Sequence, residues 1–471
     1  MNRSGLVVFA VGALALLGGC QTRIIGIQEK FRAGDLEGAA KSIDEYAKKH
    51  DEGTPQTTLA YIEQGSMLRV VERYADSDAA FEKAEGQFDF FDGKNGNGLG
   101  NETQALLTTP DRIPYQGFDY DRVLVACYRS LNAIALGHPE DARQHLFRAM
   151  QRQQEVLENN RKRIEEAEKV REKAREEGAD VERSLQSEEL MQAQRERYGN
   201  LDAFEAYEGF AVPYADMIAA VYFMGTASDT SDFDRARNLM RRVSGMLPEN
   251  ESLRADLDLA DRLAAGEARL PDMTYVFFET GVGPYRKQFK ITLPIFLVNN
   301  AVDTVSIAVP YLEYVDQYTP AMQATWPEGL VTTSLLMDTD RVVSAEFKER
   351  LPGLITRMIV SATLKSAAQY GVNEATKSDD VVNILARVGT SVWAIATNEA
   401  DLRTWATLPK QVQYARFETP ASGSATLIVG AHTGSVQLEP DATNLVIVRS
   451  VRPEVPPIIS SYTLRPEGSL R

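Results

Sequence analysis

The sequence predicts a multidomain protein: an all-α helical repeat array over residues 20–267, followed by an α+β domain over 268–452. Three observations predict it. Four segments of the first half share one spacing of small and large apolar residues. Near Leu270-Pro271 the texture changes to short, partly alternating runs rich in β-branched and aromatic residues. Those runs are then broken by two long helical patterns before the strand texture returns, which is the order of an α+β unit.

The chain begins MNRSGLVVFAVGALALLGGCQTR. Arg3 supplies a positive start, and Leu6 to Leu17 is apolar but too short to span a bilayer core, which takes about 20 helical residues. That pattern predicts a secretory signal over residues 1–19. Its ending, Leu17-Gly18-Gly19-Cys20, resembles the bacterial lipobox. The resemblance implies cleavage between Gly19 and Cys20 and a diacylglycerol on the Cys20 thiol. Several acyl chains, at about 0.8 kcal/mol per buried CH₂, make a firm anchor. Gln21 follows where an aspartate would be the usual inner-membrane retention signal, which favours the outer membrane.

The four related segments are AGDLEGAAKSI, RYADSDAAFEKA, LGHPEDARQHLFRA and SDFDRARNLMRRVSGMLP. In each, a small residue (Ala39, Ala84, Ala142 or Ala236) allows close helix approach, and a large apolar residue one turn away fills the gap. The spacing is similar to that of the second helix of a tetratricopeptide repeat, although no segment carries the full consensus. Generic antiparallel helix packing uses the same residue types. Two insertions interrupt the array. FDGKNGNGLGNETQ, residues 91–104, reads as a loop, and Asp92 is the only carboxylate of DGKNGNG, too few for a calcium loop. The second, at about 151–200, carries seven acidic and seven basic residues within 161–180. It predicts a solvated helical arm, with a flexible charged linker as the alternative.

In the second half, TYVFFE and KQFKITLP flank the turn TGVGPYRK, and VDTVSIAVPYLEY supplies another strand. AEFKERLPGLITRMIVSATLKSAAQYG and SDDVVNILARVGTSVWAIAT read as helices, and QVQYARFE, SATLIVGA and TNLVIVRS as strands. Residues 453–471, with Pro453, Pro456, Pro457 and Pro466, read as an extended tail.

The net charge of −16 argues against nucleic acid as a partner. With Cys20 lipidated, Cys127 has no disulfide partner, and its apolar helical context makes it a small buried hydrophobe. His50, His138, His145 and His432 are scattered without metal spacing, and no cofactor or metal is expected. In TGVGPYRK, Pro284 replaces the third glycine and a strand follows, so a tight turn is favoured over a phosphate cradle. No catalytic motif is found, and the chain is not expected to be an enzyme. The densest unusual chemistry lies in EADLRTWATLPKQVQYARF, where Glu399, Asp401, Arg403 and Trp405 precede Pro409. They read either as a partner-binding anchor, with Arg403 clamping a carboxylate and Trp405 exposed, or as a structural joint.

PYQGFDYDRVLVACYRSLNAIALGHPEDARQHLFRAMQRQ, AYEGFAVPYADMIAAVYFMG, FFETGVGPYRKQFKITLP, LPGLITRMIVSATLKSAAQYG and EADLRTWATLPKQVQYARF occur in that order. Together they resemble a family of proteobacterial tetratricopeptide-type envelope lipoproteins of unknown biochemical activity. The long charged insertion departs from that family, as does IALGHPEDARQHLFRA, where a Glu-rich version is expected. The resemblance implies location and architecture and transfers no catalytic residue. The expectation is therefore an outer-membrane-anchored periplasmic lipoprotein. It would bind a periplasmic or outer-membrane protein as a scaffold or regulator of an envelope assembly. The alternatives are a cell-wall or glycan-active enzyme, marked by paired carboxylates in a cleft, and a structural subunit of a surface or secretion apparatus.

Overall fold

A computed structural model of the chain describes residues 19–49, 57–94, 114–176, 181–296, 302–371 and 400–465. The residues before Gly19, which the sequence predicts to be a signal, most of the 91–104 loop, the helical pattern at 378–397 and Glu399 lie outside the described residues.

The first half is helical: α1 Gly19–Arg32, α2 Leu36–Lys49, α3 Thr57–Val70, α4 Tyr74–Lys94, α5 Asp119–Leu136, α6 Pro139–Glu176, α7 Val181–Leu185, α8 Glu188–Tyr198, α9 Pro213–Gly225, α10 Thr230–Met246 and α11 Glu251–Ala264. Each of the four sequence-related segments is the second helix of a hairpin: α1–α2, α3–α4, α5–α6 and α9–α10. Ala39, Ala84, Ala142 and Ala236 are all fully buried. The turns follow from local chemistry. Gly137 closes α5 in the left-handed region (φ 75°) and Pro139 opens α6 with the φ a first helical turn needs. Asp229 caps α10 by accepting from the Ser231 amide at 2.8 Å.

The charged insertion does not begin as a separate arm. Helix α6 runs unbroken from the repeat segment through Glu176, and the chain returns as α7 and α8. The return packs on the long hairpin formed by β2 Tyr285–Phe296 and β3 Val302–Glu313, where Tyr198 meets Phe289 at 6.1 Å. Helix α12, Thr339–Gly371, closes the same region against α6.

The remaining strands are β1 Met273–Thr280, β4 Met322–Trp326, β5 Gly329–Thr332, β6 Ser334–Asp338, β7 Gln411–Glu418, β8 Ser424–Val429, β9 His432–Gln437, β10 Thr443–Ser450 and β11 Ile458–Leu464. One sheet has the order β11-β10-β1-β7-β6, with β1 and β10 parallel at its centre, and a second has the order β5-β4-β8-β9. Every residue of β1 and β10 is buried, because both faces of the larger sheet are covered. Tyr275, Phe277, Tyr414 and Ile447 share one hydrophobic core with the helices. Val276, Phe278, Val446 and Val448 face the smaller sheet in a second core.

Two sequence expectations change here. The segment from 453, set apart as a tail, supplies β11, which pairs with β10 from Arg449↔Ile458 to Thr443↔Leu464. The junction at 267–268 falls between α11 and β1, but the main core runs from Ile24 to Leu464 across it. The helical and α+β halves are thus one packed body. TGVGPYRK is a turn, as expected, but not a hairpin turn, since it sends the chain from β1 into a different sheet. At Gly281 (φ 68°) a Cβ would stand 2.6 Å from that of Tyr318, so only glycine fits.

Candidate functional site

Residues 400–410 have no helix or strand of their own and run into β7. Asp401 and Arg403 form the expected bidentate pair, with Nε to Oδ1 at 2.8 Å and Nη2 to Oδ2 at 2.9 Å. The clamp is therefore filled from within the chain. Burial works to raise the Asp401 carboxyl, but the Arg403 guanidinium outweighs it and holds the group below the usual carboxylate range.

Trp405 is 1% exposed and Arg403 4%. The indole lies 6.0 Å from the Phe81 ring and 5.9 Å from that of Tyr128, and its Nε1 donates to Ser66 Oγ at 2.7 Å and Thr407 Oγ1 at 3.0 Å. A side chain so enclosed cannot meet a partner without unfolding its surroundings. Of the two readings, the geometry is that of a joint.

The centre of that joint is Glu63 of α3, a residue the sequence reading passed over. Its Oε1 accepts from the Ala406 amide at 2.8 Å and from Gln28 Nε2 at 2.7 Å, and its Oε2 accepts from Thr407 Oγ1 at 2.6 Å. Gln28 also donates to the Thr404 carbonyl at 3.1 Å, so α1, α3 and the 404–407 segment meet on one carboxyl. Burial raises Glu63 to about 7 even though these donors and Arg32 oppose the shift. From the other side, Gly283 donates its amide to the Leu408 carbonyl at 2.7 Å and Arg449 donates to the Thr407 carbonyl at 3.3 Å.

Beside the joint, α3, α4, β10 and β11 enclose a cavity of about 30 Å³ lined by Ser66, Arg69, Tyr74, Tyr128, Glu279 and Arg449 among others. Tyr214 donates to Glu279 Oε1 at 2.8 Å, and Arg449 Nη1 donates to the Gly281 carbonyl at 2.7 Å. These charges were visible in the sequence as single polar letters inside apolar runs: Glu63 in LAYIEQ, Glu279 in YVFFET, Arg449 in NLVIVRS. A charge in a strand or helix buried on all sides must have a partner, and that was the available signal.

A second charged surface pairs its charges within the chain. Asp78, Glu82, Glu85, Asp89 and Asp92 lie along one face of α4 and meet arginines of α5 and α6. Arg129 reaches Asp78 at 3.0 Å and Glu85 at 2.5 Å, and Arg152 reaches Asp89 at 2.6 Å and Asp92 at 2.8 Å. Asp92, the one carboxylate of the calcium-like loop sequence, is thus committed to Arg122 and Arg152.

Cys127 is fully buried and burial pushes its thiol far up, so it is an inert core residue. His138 faces solvent beside Asp141, His432 Nε2 lies 3.1 Å from the Pro453 carbonyl, and His50 is outside the described residues. Cys20 lies at the start of α1, whose Ile24, Ile27 and Phe31 are already in the main core. Among the described residues no group of acidic, cysteine and histidine side chains is arranged to hold a metal ion, and no helix is long and apolar enough to cross a membrane. Comparison with known proteins gives no match to a family model, to a curated protein or to a solved structure.

Proposed function

We propose that the protein is a lipid-anchored scaffold of a bacterial envelope, held to the periplasmic face of the outer membrane through an acylated Cys20. The observation that carries this reading is the Leu17-Gly18-Gly19-Cys20 ending of a short apolar leader. The fold supports a further consequence. Only three residues separate Cys20 from Ile24, the first buried side chain among the described residues, so an acylated Cys20 would hold the folded body against the membrane without a spacer.

The four hairpins are read as degenerate tetratricopeptide-type repeats, and the scaffold binds a periplasmic or outer-membrane protein through its helical half. Leu157 and Ile164, two turns apart on one face of α6, are 58% and 52% exposed. Exposed apolar side chains on a common helix face suit a partner contact. The 400–410 joint is no part of that surface.

Metabolic labelling with a fatty acid, followed by mass spectrometry of the N-terminus, tests the anchor. The wild type is expected to carry lipid on Cys20, and Cys20→Ala is expected to lose it and leave the membrane fraction. An unmodified wild-type N-terminus would refute the anchor. Crosslinking in membranes tests the scaffold, with Leu157→Glu and Ile164→Glu expected to lose a crosslinked species that wild type retains. A crosslinking pattern that both variants leave intact would refute α6 as the docking face.

A further inference from the structure

The walls of the cavity beside the joint carry two guanidinium groups, Arg69 and Arg449, and one carboxylate, Glu279. Arg449 and Glu279 answer each other across 3.9 Å, and the Arg449 guanidinium also donates to the carbonyls of Gly281, Thr407 and Glu279. Arg69 is different. It is 8% exposed, and Nη1 donates to Asn132 Oδ1 at 2.6 Å, a neutral acceptor. Its guanidinium lies 5.5 Å from the centre of the Tyr74 ring and 5.7 Å from that of Tyr128. Among the described residues it forms no ion pair with a carboxylate. Tyr128 lines the same space, and its hydroxyl has no hydrogen bond among the described residues. Burial works against the Arg69 charge, but Tyr462 and Glu279 outweigh it through space and raise the group. Arg69 and Arg449 thus share the one carboxylate of Glu279, which leaves one positive charge in excess, and the unbonded Tyr128 hydroxyl beside it is a ready second donor.

We propose that this cavity is an anion site that takes a single carboxylate group, with the Arg69 guanidinium and the Tyr128 hydroxyl as its donors. The space of about 30 Å³ is that of roughly two water molecules, which a carboxylate's two oxygens can replace. The rim favours a single charge. Ser460 Oγ bonds the Tyr74 hydroxyl at 3.0 Å and Glu72 Oε1 at 3.4 Å, so an exposed carboxylate stands outside the opening and repels a second negative charge. The carboxylate comes from a small free acid or from the end of a peptide.

The test is thermal melting of the full chain in detergent, titrated with sodium formate at constant ionic strength against a bulky sulfonate. A saturable rise in Tm is expected with formate and none with the sulfonate. Arg69→Gln is expected to abolish the rise. Tyr128→Phe, which removes one unbonded oxygen, is expected to raise the half-saturating formate concentration about tenfold, the worth of one hydrogen bond to a charged group. If Arg69→Gln does not fold, the Tyr128→Phe titration decides alone. A second titration compares Gly-Gly-Ala with its C-terminal amide. A response to the acid and not the amide, without one to formate, assigns the carboxylate to a peptide end. A Tm that follows ionic strength alone, or a saturation unchanged in Tyr128→Phe, overturns the proposal.

Discussion

On one face of the five-stranded sheet, Val276, Phe278, Val446 and Val448 pack against Met322, Leu427 and Val429 of the smaller sheet. Among the described residues, polar groups there stand towards the ends, as Gln413 with Thr333 and Asn444 with Thr419. On the other face the same strands present Tyr275, Tyr414, Glu279, Arg449 and Arg416 to the helices, among Phe277, Leu445 and Ile447. Tyr414 and Arg416 both reach Asp256 of α11, at 2.5 Å and 2.9 Å, and Tyr214 of α9 reaches Glu279. Apolar burial is roughly proportional to area and carries no direction. A buried ion pair adds little net stability, but a misplaced one is severely penalised. The sheet-on-sheet face is thus held by burial, while the helical face also has its register fixed by charge. Only the directional contacts tell each helix where to stop.

The largest effect is expected where both principles meet. Trp405→Ala removes the most enclosed large side chain of the helical face together with its bonds to Ser66 and Thr407, and is expected to cost about 3–5 kcal/mol by denaturant unfolding. A small loss would return Trp405 to the role of partner anchor. Asp256→Ala leaves Arg416 and Tyr414 facing an empty acceptor. Because Arg416 is one-fifth exposed, the expected cost is about 2–3 kcal/mol, most of it restored by the double variant with Arg416→Met. Full additivity of the two variants would break the claim that the pair sets register.

The two faces also differ in their response to pH. Burial raises Glu63 and Asp121 to about 7 and Asp216, Asp256 and Asp340 to about 6, and each of these carboxyls lies within the main body rather than in the sheet-on-sheet core. Each binds its proton more tightly when folded than when unfolded. Their stabilising contribution is therefore fullest below the ordinary carboxylate range and is lost as pH rises through 6 to 7. The full chain is expected to melt higher at pH 5 than at pH 8. Glu63→Gln is expected to flatten that slope by about 1–2 kcal/mol over the interval, read from melting at each pH. Phe278→Ala, on the apolar face, is expected to lower stability equally at both pH values. The smallest effect is expected at the surface. Arg73 bridges Asp44 and Asp76 in the open, and Arg73→Ala is expected to cost less than about 1 kcal/mol in low-salt melting.

The hairpins were legible because alanine at the close approach and glycine or proline at the turn are demanded by backbone geometry within a dozen residues. Strands β1, β3, β7, β8 and β10 were legible for the same local reason. The strands that the sequence reading missed are short or polar. GLVT is four residues, and HTGSVQ buries only Val436. They exist because neighbours pair with them, which no local pattern records. The prolines before Ile458 masked β11, an edge strand whose residues from Ile458 on are all able to donate. The 400–410 segment stood out by composition, but its role did not. Glu63 and Ala406 are 343 positions apart, and Trp405 is 339 from Ser66. Contacts of that span decide between anchor and joint, and a charge count along the chain cannot see them.

The joint makes the helices and the sheets one body. Equilibrium unfolding of the full chain in urea tests it, followed at once by far-ultraviolet circular dichroism, which is dominated by the helices, and by tryptophan fluorescence. Trp405 sits in the joint and Trp326 stacks on Phe417 at 4.5 Å in the sheet-on-sheet core. Coincident transitions with one midpoint are expected, and a common shift of both in Trp405→Ala. Two separated transitions, with the helical signal lost before the tryptophan emission changes, would show two independent bodies instead.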